Sequence, residues 1–267
     1  MTDQARIEVE RHGHIAVLTY HNPPANTWTP DSLGDLAQTI EALQQDASIY
    51  GLILTGQGER FFSAGADLNQ FSSGDKAQAW QMAMQFERGF DAIRQYRGVT
   101  IAMINGYALG GGLEWALACD IRIAEHHALL GLPEASVGLL PCAGGTQQLP
   151  RLVGEGWAKR IILCGEKVTA HEAREIGLVE IVTSPGEGLT AALGLGEKIA
   201  AQSPTSIAAC KRLIAASVDG TPSDLGRGLE REAFIALFEG EDQQEGVKAF
   251  LEKRAPRWSN QTSSSNK

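Results

Sequence analysis

Apolar residues recur along this chain in two periods, and the changes between them mark its elements. Ile7 to Glu10 and Ile15 to Tyr20 read as two strands joined around His12 and Gly13. Asn22 to Asn26, with Pro23 and Pro24 inside it, reads as a loop. Thr29 followed by Pro30 predicts a helix cap with proline at the first helical position. Leu33, Leu36, Ile40 and Leu43 then keep a helical spacing. Tyr50 to Thr55 is a buried-strand pattern. Ala77 to Arg94 is helical, with Trp80, Met84, Phe86 and Phe90 mostly on one side. Val99 to Ile104 is another short apolar strand. This strand, helix, strand alternation from Leu52 to Ile123 predicts parallel βαβ units.

Further on, Thr169-Ala-His-Glu172 is a capping box, and Gly177 closes the helix that it opens. Leu178 to Val182 reads as a strand. From Gly188 onward the pattern is entirely helical, divided by Pro204 and by Gly220-Thr-Pro222. The polar tail, Ser259 to Lys267, is expected to be disordered. No repeat of strand–turn units stands out by inspection.

Composition narrows the function classes. A chain of 267 residues can bury a full core as one large domain, or as one domain with a smaller subdomain. A formal net charge of −9 argues against a nucleic-acid partner, which needs a basic footprint. It leaves room for an anionic ligand, because a few local cations can hold a phosphate on an acidic protein. The cysteines, Cys119, Cys142, Cys164 and Cys210, form no C-x-x-C pair and read as free thiols in a reducing compartment. No apolar run has the length of a membrane span, and Met1 to Arg6 is polar. The last residues, Ser265-Asn266-Lys267, carry no Ser-Lys-Leu peroxisome address. A cytoplasmic, membrane-free location is the expectation.

The candidate chemistry sits in three segments. Asn105-Gly-Tyr-Ala-Leu-Gly-Gly-Gly-Leu-Glu-Trp-Ala-Leu-Ala-Cys-Asp120 places three glycines before an apolar helix, with Glu114 in its first turn. A helix start offers free N–H groups and a positive dipole end, and glycine lets a ligand approach the backbone closely. Leu113 and Trp115 to Ala118 mark this helix as buried, where an unpaired carboxylate would be costly. Glu134 follows twenty residues later, behind Pro133. Beyond it, Gly144-Gly-Thr146 opens a helix with Leu149, Leu152 and Val153 as its apolar face. Upstream, Phe61-Phe-Ser-Ala-Gly-Ala-Asp-Leu68 is rich in small residues and follows a strand-like run.

In order and spacing these segments resemble the enoyl-CoA hydratase/isomerase (crotonase) family, from about Ile7 to about Trp258. The motifs are Ser-Ala-Gly-Ala-Asp-Leu, Asn-Gly-Tyr-Ala-Leu-Gly-Gly-Gly-Leu-Glu, Cys-Asp-Ile-Arg-Ile-Ala, Pro-Glu and Pro-Cys-Ala-Gly-Gly-Thr-Gln. The resemblance implies an α/β fold: a spiral of ββα units over 1–200, then a helical trimerisation region over 201–258. It also implies a homotrimer or a dimer of trimers. The implied ligand is an acyl-CoA. Coenzyme A belongs to the substrate, and no metal or redox cofactor is expected.

By motif position, the resemblance assigns an oxyanion hole to the N–H groups of Ala66 and Gly111. Such donors grip the thioester oxygen as it becomes an enolate, and losing one costs about 2.7–4 kcal/mol of barrier. Glu114 is assigned to activating water and Glu134 to protonating Cα of a trans-2-enoyl thioester, as a coupled pair with at least one raised pKa. The coenzyme end is assigned to Ala25, Ala64, Asp67 and Leu68. Phe250 and Lys253 join them, with reach to a neighbouring subunit's ligand. Lys253 with Arg254 reads equally as a solvated helix end.

The reaction expected is hydration. A Δ3,Δ2-enoyl-CoA isomerase, needing chiefly Glu134, is the alternative, and a non-catalytic acyl-CoA-binding subunit is the third reading. Asn69 stands where some family members carry lysine, and the loop Asn22 to Asn26 looks more like that of isomerase and multifunctional members. Trp80, Met84, Phe86 and Trp115 fit either a tail pocket or core packing. Cys142 reads as a packed small residue without a basic partner. His126-His127 and His171-Glu172 lack metal-ligand spacing. Gly56-Gln-Gly58 and Gly194-Leu-Gly196 complete no dinucleotide fingerprint, and no G-x-S-x-G elbow occurs.

Overall fold

A computed structural model of the chain describes residues 5–258, so the expectation for the tail falls outside the described residues. The first half runs β1 (Arg6–His12), β2 (Ile15–His21), α1 (Pro30–Gln45), β3 (Gly51–Gly56), β4 (Phe61–Ser63), α2 (Lys76–Arg94), β5 (Val99–Ile104), β6 (Tyr107–Leu109), α3 (Gly111–Leu117), β7 (Ile121–Glu125) and β8 (Leu129–Gly131). The second half runs α4 (Gly145–Leu163), β9 (Val168–Thr169), α5 (Ala170–Glu175), β10 (Ile181–Thr183), α6 (Gly188–Ala200), α7 (Pro204–Val218), α8 (Ser223–Ala236) and α9 (Glu241–Leu251). Among the described residues no helix is long and apolar enough to cross a membrane.

The strands form a six-stranded sheet in the order β1-β2-β3-β5-β7-β10 and a four-stranded sheet in the order β4-β6-β8-β9. The opening hairpin is antiparallel, and β2, β3, β5, β7 and β10 are parallel neighbours. The larger sheet's inner strands β2, β3, β5 and β7 are buried on both faces, which is why they read as nearly unbroken apolar runs, while the edge strand β1 is largely exposed. Successive side chains alternate sides. Leu18, Leu52, Leu54, Ala102 and Ile104 join the core with α1, α2 and α3. Val17, Ile53, Ile101, Met103 and Ile123 face the core that contains Ala192 and Ile199 of α6.

Several expected elements fall where the pattern places them. Thr29 caps α1 through the Ser32 N–H, and Ser32 reciprocates at the Thr29 N–H. Thr169 and Glu172 close a capping box on α5. Three expectations shift. Leu178 and Val179 are buried loop, and the strand begins only at Ile181. Their N–H groups bond the Ala173 carbonyl, and the Leu178 carbonyl accepts from Arg122 Nε, so neither is free to pair with a strand. On α2 the buried stripe is Met82, Phe86, Gly89, Phe90 and Ile93, while Trp80 and Met84 face outward. On α4 Leu149 is buried but Leu152 is exposed, and the helix breaks at Gly154, whose φ is 78°. Helices α7 and α8 bury no residue within the chain and leave Ile214, Phe234 and Ile235 exposed, as is Phe238 in the turn after α8.

Arg122 ties β7 to the turn before β10. It is 4% exposed, and its guanidinium bonds the Leu178 and Cys119 carbonyls and Glu180. Arg122→Met is expected to leave both carbonyls without a donor, at about 1–3 kcal/mol each. Urea unfolding of the variant measures the loss.

Candidate active site

Three short strands of the smaller sheet set the site. β4, β6 and β8 are adjacent and parallel, with Phe61 opposite Tyr107, Ser63 and Leu130 opposite Ala108, and Gly131 opposite Leu109. Parallel strands end on the same side, where ligands of α/β proteins bind. Ala64 to Ala66 leave the end of β4, Gly110 to Glu114 leave β6, and Leu132 to Glu134 leave β8. Segments distant in sequence therefore converge at one edge.

The first segment is held by the loop before α1. Ala64 N–H donates to Ala25 O, Trp28 N–H to Gly65 O, and Asp67 N–H to Trp28 O. Ser63 Oγ donates to Asn26 O, and the Asn26 amide donates to Phe61 O. Because the Trp28 bridge uses the atoms on either side of Ala66, the Ala66 N–H points away from it. Gly65 adopts φ 88°, and a Cβ there would meet Leu109 O at 2.8 Å and Gly111 N at 3.0 Å. Only glycine allows the two segments to touch.

α3 begins at Gly110, whose φ of 55° and ψ of −129° suit glycine alone. Behind it Trp115 fills the core, stacked on Phe62 at 4.1 Å and edge-on to Trp28 at 5.0 Å. That anchoring leaves the adjacent Glu114 on the cavity wall. Glu114 is 3% exposed, and its Oε1 accepts the Ala143 and Gly145 N–H groups, each at 2.8 Å. Its partners thus come from the start of α4 and not from the helix that carries it. Burial pushes the Glu114 pKa up; the two N–H groups and the Arg94 charge oppose that rise.

Glu134 begins a 3-10 turn after Pro133. Its Oε2 is buried without a protein partner, and a Cβ on Gly110 would lie 3.2 Å from its Oε1. Burial, with the negative Glu114 adding to it, pushes the Glu134 pKa up to about 7. The two carboxyls thus differ in character: one has donors for its anion, and the other has none at Oε2. Cys142, expected to be a packed small residue, is instead exposed on the same wall; desolvation by that wall, with Glu114 and Glu134, pushes its thiol up to about 11, so it stays protonated near neutrality.

A cavity of about 490 Å³ joins these groups. Of the residues assigned from sequence, Ala64, Ala66, Leu68, Gly111, Glu114 and Glu134 line it. Ala25 touches it only through its bond to Ala64, and Asp67 caps the following turn through the Asn69 N–H. Phe250 and Lys253 do not line the cavity; Phe250 is 82% exposed at the end of α9. Of the four tail-wall candidates only Phe86 lines it, because Trp115 is core and Trp80 and Met84 face outward. The sequence reading missed Ala79 and Ala83, one turn apart on α2, and Val137, Leu139 and Leu140. Helical spacing from Phe86 was the signal for the alanines.

Comparison with known proteins identifies the family. The family model described as Enoyl-CoA hydratase/isomerase matches residues 10–261. YngF of Bacillus subtilis, which carries the hydratase/isomerase name, is 42% identical over 247 residues, covering 91% of this chain and 94% of its own. The short-chain-enoyl-CoA hydratase of Clostridium acetobutylicum is 36% identical over 247 residues, covering 92% and 94%. Among solved structures, Pseudomonas aeruginosa DspI superposes with a TM-score of 0.93 at 58% identity, covering 97% of this chain and 98% of its own. The chain belongs to the enoyl-CoA hydratase/isomerase family and has the crotonase fold.

Glu134 is expected to titrate near 7, and Glu114→Gln to lower that value by removing the neighbouring negative charge. Carboxyl ¹³C chemical shifts followed against pH check both.

Proposed function

We propose that this enzyme adds water across the double bond of a trans-2-enoyl-CoA thioester. The observation that carries the reading is the pairing of Glu114 and Glu134 on one cavity wall, both pushed up by burial, with two N–H donors and the Arg94 charge opposing the rise at Glu114 and no protein donor at Glu134 Oε2. Ionised Glu114, supported by two N–H donors, takes a proton from water. The water oxygen bonds to Cβ, and the π electrons move through Cα onto the thioester oxygen. The Ala66 and Gly111 N–H groups meet that oxygen; among the described residues neither donates to a protein acceptor. Protonated Glu134 then gives its proton to Cα as the enolate collapses. Exchange with solvent restores both carboxyls. The steps call on no metal or redox group.

The wall beyond the glutamates is apolar, formed by Phe71, Ala79, Ala83, Leu139 and Leu140. It suits a hydrocarbon tail. The coenzyme end lies toward Ala25, Ala64, Asp67 and Leu68. The uncovered apolar faces of α7 and α8 support assembly as a trimer, or a dimer of trimers, in which Phe250 and Lys253 reach a neighbour's ligand. One observation favours the isomerase as a second reading. The Glu134 carboxyl, pushed up to about 7 and with its Oε2 unpartnered, can move a proton between Cγ and Cα by itself.

Glu114→Gln keeps an acceptor for the Ala143 and Gly145 N–H groups but cannot take a proton. Its kcat for crotonyl-CoA hydration is expected to fall about 10²–10⁴-fold. Undiminished turnover would remove the assignment. Turnover of 3-enoyl-CoA that survives this change while hydration is lost would favour the isomerase.

A further inference from the structure

The helix α2 ends on a side chain that no part of the catalytic proposal uses. Arg94 lies in its last turn, where a cation complements the helix dipole. Its Nη1 pairs with Asp91 Oδ1 at 2.6 Å, and its Nη2 donates to Ala143 O at 2.8 Å. Ala143 is the residue whose N–H donates to Glu114 Oε1. One residue therefore stands between a guanidinium and the buried carboxylate, its carbonyl facing the first and its N–H the second. The neighbouring Gly144 adopts φ 109°, and a Cβ there would come within 2.6 Å of Arg94 Nη2. The loop is thus shaped to admit the guanidinium.

We infer that Arg94 is a positioning residue for Glu114: it clamps the Ala143 carbonyl, so that the Ala143 and Gly145 N–H groups stay aimed at the carboxylate, and it lends that carboxylate a compensating charge. The inference rests on the reading of Glu114 as the water-activating base. The physical need is plain. Two peptide N–H groups stabilise an anion only while the loop that carries them keeps its angle, and this loop enters α4 through two glycines, which hold their own conformation weakly. A planar guanidinium bonded to a carbonyl on one side and a carboxylate on the other sets both position and angle. A misplacement near 1 Å can cost about 10²-fold in rate.

The groups facing Glu114 are few. Glu134 approaches from the turn after β8, the Cys142 thiol from the loop before α4, and Arg94 from α2, itself faced by Asp91. Arg94 is the cation in this set. Removing it takes away an influence that holds the Glu114 pKa down, so the acidic limb of kcat moves to higher pH.

The test compares R94M, R94Q and R94K on the full-length protein with crotonyl-CoA. R94M is expected to lose about 10–100-fold in kcat with KM held within about twofold, because the fault lies in the base and not in substrate binding. R94Q can still donate to Ala143 O but carries no charge, so its acidic limb stays displaced. R94K restores the limb and only part of kcat, since a point charge cannot reproduce the fork. A ¹³C titration of the glutamate carboxyls, with Glu114 identified by the signal lost in E114Q, is expected to place Glu114 higher in R94M than in wild type. Wild-type kcat and an unmoved Glu114 titration in R94M would overturn the inference. A lowered melting temperature with an unmoved titration would also overturn it, by confining Arg94 to stability. Should R94M fail to fold, R94Q against R94K decides the question. If the wild type itself does not hydrate crotonyl-CoA, the proposed reaction falls, while the Glu114 titration still decides the role of Arg94.

Discussion

A carboxylate taken out of water must find donors inside the protein or give up its charge, and the site is arranged around that requirement at Glu114. Its Oε1 receives two backbone N–H groups from the start of α4, so the residue links two helices that the sequence separates by the length of β7 and β8. Whatever orients that loop also orients the carboxylate. This is why Gly144, Gly145 and Pro141 matter beyond their own turn: a Cβ on Gly145 would meet Pro141 at 2.8 Å and Glu114 at 3.0 Å.

The second requirement is close approach of main chain to main chain. A Cβ on Gly112 would lie 2.1 Å from Ser63 O, and one on Gly111 would strike the Phe86 ring at 2.9 Å. The start of α3 is therefore pressed against β4 on one side and α2 on the other. Two N–H groups from different segments can serve one ligand oxygen only if those segments touch, and glycine at Gly65, Gly111 and Gly112 is what allows it. The parallel pairing of β4, β6 and β8 then keeps the segments in register, so the site depends on a small sheet more than on the large one.

Much of the fold is legible in the sequence because it is local. The Thr29 and Thr169 caps need only a few neighbouring residues, and the strand at Val99 to Ile104 needs only its apolar run and flanks. The readings that fail depend on partners elsewhere. Leu178 and Val179 have strand character, but Ala173 and Arg122 occupy their backbone groups. Trp80 and Met84 are large and apolar, yet the helix phase is set by Phe86, Phe90 and Ile93 packing inward, which turns the other two outward. Leu152 faces solvent although its spacing from Leu149 suits a helical stripe.

The site divides in the same way. The assignment of Glu114, Glu134, Ala66 and Gly111 rests on motifs within single segments, and the chain alone determined which family it joins. The tertiary structure decided how they are set against one another. Glu114 takes its donors from α4, Glu134 is left with an unpartnered buried oxygen, and Arg94 reaches the loop across half a hundred residues of chain. Motifs record local backbone needs, whereas a carboxyl's charge state depends on burial and on charges from segments that meet only when the chain is folded.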